Sequence, residues 1–344
     1  MAVFTSNPVV GIDISGFQYD IDVQALLDVG VKVFVVKLGQ NSILDAKFTK
    51  HCSNIAKFVP AGAVLQCYYW DEITSNPQTQ ANWVSAQLKA YNYPISFVWI
   101  DAEQWWLKWS EYYAARNGTL PYSSVTRPSA AMLSSHFYQT YMALKNLLGS
   151  DKVGVYTNKS FVDEHATIPV GQAGTSMGVW MGNEKANMWI PYYGWQSQPR
   201  VSTAMSWYTW KTQWFPNYTP TIPVGTSYTQ MRGHQCTGDK CKLPYIYSNI
   251  LHALSAADVD VFDGTWLASL GGITPPPPPP PANRYVALYN LNIRSASNGS
   301  APIIGLLPIN TEVVVYEVNA NTNYARIDAT MQKWVFFPYL QKVV

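Results

Sequence analysis

Through the first half of the chain, short apolar runs alternate with stretches of helical spacing. VVGIDIS (9–15), VKVFVVKLGQ (31–40), GAVLQCYYW (62–70), ISFVWI (95–100) and KVGVYTN (152–158) are β-branched or aromatic. Such runs predict buried strands. Residues 21–30, 45–59, 78–90 and 128–148 between them have helical spacing. The first closes on glycine and the second stops before Pro60. After residue 160 the rhythm weakens. Residues 176–183 (SMGVWMGN), 228–235 (YTQMRGHQ) and 259–263 (VDVFD) read as three further strands with no good helices between them. The interval 184–226, rich in Trp, Tyr and Pro, reads as ordered loop. Strands alternating with helices imply a parallel sheet, and this many units predict a closed barrel. The expected fold is an α/β, TIM-like barrel of five β/α units plus three further strands.

The pattern breaks at 274–282, TPPPPPPPA. Seven prolines cannot donate to a sheet or fill a helix, and they favour an extended spacer. Beyond them, YVALYN, LNIRS, TEVVVYEV, YARID and KWVFF are short alternating runs of a small all-β module. The expected domains are therefore 1–273, a linker at 274–282, and 283–344.

Composition narrows the function. Only 13% of residues are charged and the net charge is +2. That gives no electrostatic case for nucleic acid or an anionic membrane. No run approaches the roughly 20 apolar residues of a membrane span. Residues 1–8 lack the basic start and apolar run of a secretory signal. Aromatics are heavy, with 14 Trp and 23 Tyr, more than a core requires, and they suit a half-wet groove. The cysteines are Cys52, Cys67 and the close pair Cys236 and Cys241, which form either a small disulfide loop or two thiols. The histidines, among them His51, His136, His165 and His252, are scattered. No metal and no cofactor is expected.

The chemistry concentrates where the fourth run ends, in Asp101-Ala102-Glu103. Alternation places Asp101 and Glu103 on one face, roughly 7 Å apart along the backbone. Two carboxylates there are costly for stability alone and suit acid/base work, because burial and like charge raise one pKa. The alternative is a pair of solvated charges where a strand meets a loop. Asp13, at the end of the first run, either joins this site or caps the following helix. Lys37 reads as a lysine that snorkels from the second strand.

Taken in order, GIDISGFQ (11–18), FVVKLGQ (34–40), WIDAE (99–103), VGVYTN, GVWMGN and HQCTGD followed by DVDVFDG (258–264) resemble the strands of the family 25 glycoside hydrolases. These are lysozymes, or muramidases. The resemblance covers about 9–265. It implies hydrolysis of the β-1,4 bond between N-acetylmuramic acid and N-acetylglucosamine in peptidoglycan. Glu103 would be the general acid, with Asp101, Asp13 and Asp258 as the other carboxylates. It further implies sugar contacts from Tyr68, Tyr69 and Trp70 of CYYW, one tyrosine facing the site and the other the helical layer. Trp105, Tyr156, Trp180, Gln235 and Asp260 complete the implied substrate-binding set. The chain departs from the family at His234, where a Trp is usual, at Asp260, where an Asn is usual, and in the length of 184–226.

The second module resembles the bacterial SH3-like wall-binding domains through LNIRSASNGSAPIIGLLPINTEVVVYE, YARID, KWVFF and PYL. Enzyme, stiff spacer and binder together suit an insoluble polymer. The resemblance implies a monomeric enzyme acting on cell walls, either as a phage lysis protein or as a secreted bacterial enzyme. Two other readings stand beside it: a catalytically silent wall-binding or phage structural protein, and a glycosidase of another N-acetylated polysaccharide such as chitin.

Overall fold

The structure, a computed structural model, describes residues 7–192, 219–237, 242–247, 254–270, 284–319, 321–327 and 333–342. It divides into two compact units, Met1–Thr274 and Pro275–Val344.

Eight strands of the first unit close into a barrel: β1 (Pro8–Ile14), β2 (Val31–Gln40), β3 (Val64–Trp70), β4 (Ile95–Asp101), β5 (Val153–Tyr156), β6 (Asn187–Pro191), β7 (Met231–Gln235) and β8 (Asp258–Asp263). Neighbours from β1 to β7 are parallel. The last strand, β8, runs antiparallel to both β7 and β1 and closes the ring. Helices α1 (Val23–Asp28), α2 (Phe48–Ala56), α3 (Pro77–Tyr91), α4 (Trp109–Arg116), α5 (Ala130–Leu148), α6 (Lys159–His165) and α7 (Met177–Asn183) fall between the strands up to β6, and α8 (Gly264–Ser269) follows β8.

Strand alternation sorts the side chains into two cores. Phe34, Val36, Val98, Ile100 and Met188 face outward into the shell of helices. Val33, Val35, Phe97, Trp99, Trp189 and Phe262 fill the lumen. A lumen holding two tryptophans needs glycine opposite them. A Cβ on Gly154 would lie 2.6 Å from the Trp99 ring, and one on Gly233 would lie 2.7 Å from Phe262. The Trp99 indole donates to Gln66 Oε1 at 2.8 Å, which satisfies its N–H inside the barrel.

Two expectations need correction. Residues 176–183 form the helix α7, not a strand. Met177, Trp180 and Met181 are spaced for one helical face and are buried together. Gly178 and Gly182 bring that helix against the backbone at Val224 and Gly225. The sixth strand is instead Asn187–Pro191, inside the interval read as loop, where Met188 and Ile190 face out and Trp189 faces in. The run 228–235 is also divided, with a 3-10 turn at Tyr228–Gln230 before β7 begins. Most of the aromatic interval (193–218), the proline run and Cys241 lie outside the described residues, and so does the proposed Cys236–Cys241 bridge.

The second unit is all β. Its two sheets are Arg284–Ala287 between Glu312–Val314 and Leu340–Lys342, and a five-stranded sheet from Ile303–Leu307 to Glu317–Asn319. Its core includes Ala287, Leu291, Leu307, Val315, Ala325, Val335 and Leu340.

Candidate active site

Parallel barrels expose catalytic groups at the C-terminal ends of their strands. Here that end is the polar one. On the lumen face, apolar residues below give way to Asp13 on β1, Lys37 on β2, Tyr68 and Trp70 on β3, Asp101 on β4, Tyr156 on β5 and Gln235 on β7. These line a cavity of about 280 Å³ together with Glu103, Trp189 and Asp258. Asp258 reaches this end because β8 is antiparallel: its first residue pairs with Asp13 near the end of β1.

The Asp101–Glu103 turn is held by backbone. The Ala102 amide donates to the Tyr156 carbonyl at 2.9 Å, and the Thr157 hydroxyl donates to the Ala102 carbonyl at 2.8 Å. Asp101 and Glu103 both line the cavity and are close enough to influence each other's titration. Burial raises both pKa values; repulsion from Glu103 raises Asp101 further, partly opposed by the Lys37 ammonium, while Asp101 and Asn158 pull Glu103 part of the way back down. Two buried carboxyls that interact titrate as a pair, and burial favours their protonated forms. Asn158 caps α6 by accepting from the Phe161 amide at 2.7 Å, which turns its own amide towards Glu103 Oε2 at 3.5 Å. Sequence reading missed Asn158, although an Asn at a strand-to-helix junction is a recognisable cap.

Across the cavity, Gln235 links the other carboxylates. Its amide donates to Asp13 Oδ2 at 2.7 Å and to Asp258 Oδ2 at 3.2 Å. Its carbonyl accepts from the Tyr156 hydroxyl at 2.7 Å. Asp260 lies beneath, fully buried, and accepts from the Trp189 indole at 2.9 Å. Burial, and then the Asp258 charge, push its pKa well up. It does not line the cavity and belongs to the floor.

Tyr68 lines the cavity, while Tyr69 points into the helical layer and donates to Gln80 at 2.6 Å. Of the two tyrosines expected to contact sugar, only Tyr68 faces the cavity; Tyr69 does not. Trp180 is also removed from the groove. It sits on α7 against Tyr138 and Tyr141, and the tryptophan under the site is Trp189. Lys37 does more than snorkel: its ammonium lies 5.9 Å from the Tyr68 ring centroid and 5.6 Å from that of Trp70.

Beyond Glu103 the chain makes an excursion through α4 that sequence periodicity did not reveal. Trp70, Trp105, Trp106 and Tyr112 line a second cavity there, of about 450 Å³, with Glu103 and Arg116. Trp106 stacks on Tyr112 with centroids 3.7 Å apart. Trp105 stacks on His165 at 5.2 Å and carries Arg127 at 4.7 Å. The wall is anchored by Glu72, a buried carboxylate absent from the sequence-based candidates. It accepts from Gln104 at 2.8 Å, Trp109 Nε1 at 2.9 Å, Thr74 at 2.9 Å and Gln40 at 3.2 Å. Among the described residues no group of three His, Cys, Asp or Glu side chains could hold a metal.

The model for "Glycosyl hydrolases family 25" matches residues 12–218, more than half of the chain. The chain belongs to the family 25 glycosyl hydrolases. The chain is also similar to solved structures. The catalytic domain of endolysin ply40 from bacteriophage P40 of Listeria monocytogenes is 16% identical with a TM-score of 0.50. The match covers 78% of this chain and 100% of that one. A bacterial lysozyme from Streptomyces coelicolor is 14% identical with a TM-score of 0.49, over 78% of this chain and 100% of that one. A family 25 glycosyl hydrolase from Bacillus anthracis is 16% identical with a TM-score of 0.45, over 74% and 88%. Comparison with curated protein sequences finds no match. No described helix is long and apolar enough to cross a membrane.

Proposed function

We propose that this family 25 hydrolase is a muramidase, cleaving the β-1,4 bond between N-acetylmuramic acid and N-acetylglucosamine in peptidoglycan. The observation that carries the reading is the buried Asp101–Glu103 pair at the mouth of an aromatic-walled barrel. Glu103 is the general acid. It opens on both cavities, whereas Asp101 is buried beneath it.

Glycosidases that attack with a carboxylate hold the pair about 5–5.5 Å apart, and inverting ones about 6.5–9.5 Å. Asp101 and Glu103 lie two residues apart on one wall of the cavity, so they do not flank the scissile bond from opposite faces in either way. Asp101 therefore serves the substrate's own acetamido group, orienting it for attack at the anomeric carbon and stabilising the charge it gains. Asp13 and Asp258, tied by Gln235, add negative potential where positive charge develops on the sugar. The second unit is the wall tether.

Activity should fall at high pH as the pair loses its last proton. In Asp101→Asn the last proton of the pair no longer leaves against a second carboxylate charge, so it is given up more readily. The basic limb of the pH–rate profile should move to lower pH; an unmoved limb would show that the pair is not coupled. Substrate class is tested by incubating the full-length protein with suspensions of purified peptidoglycan and of chitin. Clearing of peptidoglycan with a rise in reducing sugar is expected. Release of sugar from chitin alone would replace the muramidase reading with the other glycosidase.

A further inference from the structure

Glu103 stands in the wall between two openings. The sugar that becomes positively charged belongs on the side of Asp13, Asp101 and Asp258, where carboxylates stabilise it. The acid must reach the glycosidic oxygen, so the leaving sugar and the chain that follows it lie on the other side, in the cavity of about 450 Å³. Its volume falls within the usual range for small-ligand sites, about 300–1,000 Å³.

Arg116 lines both openings. It is the last residue of α4, where the helix dipole favours a cation. Its side chain is exposed. Among the described residues no ion pair to it is formed, although Glu103 and Glu164 line the same cavity. In the same excursion Lys108 and Glu111 pair with each other at 2.7 Å, and Arg127 lies over the Trp105 ring. A guanidinium at the rim of a sugar cavity, without an acid of its own, is suited to grip a carboxylate in two parallel hydrogen bonds. The leaving N-acetylglucosamine offers no carboxylate. The muramyl residue beyond it does, through the peptide on its lactyl group.

We propose that Arg116 is a specificity-determining residue that binds a carboxylate of the peptide stem on the leaving-group side of the cleaved bond. This rests on the muramidase reading and deepens it. Arg116 thereby favours peptide-bearing strands over bare glycan.

The test compares glycan strands with their peptides intact and the same strands stripped by an amidase, cleaved by the full-length protein. In Arg116→Ala, the ratio of kcat/KM on peptide-bearing to stripped strands should fall about tenfold, chiefly through KM, as for loss of one charge-assisted contact. Arg116→Lys should keep part of the preference, because it keeps the charge and loses the fork. The wild-type preference should also weaken with added salt. An unchanged ratio in Arg116→Ala, or an equal loss on both substrates, overturns the proposal and leaves the muramidase reading standing. Failure of the wild type on both substrates overturns that reading, and the proposal with it.

Discussion

Glu103→Gln should reduce peptidoglycan cleavage by about 10²–10⁴-fold, the usual contribution of a positioned general acid. The amide keeps the shape and can still meet Asn158 and Asp101, but it has no proton to give to the leaving oxygen. The fold should survive. Burial holds the Glu103 pKa above its ordinary value, so between those two values the folded chain binds a proton that the unfolded chain does not. That contribution to stability falls as pH rises through the window. A neutral Gln escapes it, so the variant's stability relative to the wild type should rise with pH through that window and level off above it. Retention of more than about a tenth of wild-type activity would remove Glu103 from the acid's role.

Removing residues 274–344 should have the second large effect, and it should depend on the substrate. Every candidate carboxylate lies in the first unit, which has its own two cores. The truncated chain should therefore cleave short soluble strands at close to the full-length rate. On whole walls its rate should fall about 10²-fold, the lower end of what tethering supplies, if the second unit holds the enzyme on the polymer. The readout is the ratio of activity on walls to activity on soluble strands. An unchanged ratio would show that the second unit is not a wall tether.

Alternation alone put Asp101 and Glu103 together at a strand end. Asp13 stayed open between the site and a helix cap, and Gln235 and Asp258 were reached only through the resemblance to the family 25 enzymes. Trp180 was misplaced because two successive segments each set a Trp among Met and Ile or Val. Only the spacing separates them: Met177, Trp180 and Met181 repeat as one helical face, whereas Met188 and Ile190 flank Trp189 as a strand does. The excursion through α4 hid for another reason. Trp109, Tyr112 and Tyr113 pack on one another and on Trp106, not on the barrel shell, so their spacing carries no single apolar stripe. Glu72 acts mainly through hydrogen bonds to residues distant in sequence, which no local pattern announces; Asn158 is legible as a cap, but its reach to Glu103 is not. Lys37 was visible, but its role depends on Tyr68 and Trp70 from the neighbouring strand.

The most direct measurement is the identity of the new ends. Purified peptidoglycan is digested with the full-length protein, the released fragments are reduced with borohydride, and the reduced sugar is identified by mass spectrometry. Reduced N-acetylmuramic acid at the new ends, absent from a Glu103→Gln digest, is the result expected of a muramidase. Reduced N-acetylglucosamine at those ends, or solubilised wall with no new reducing sugar, would contradict it.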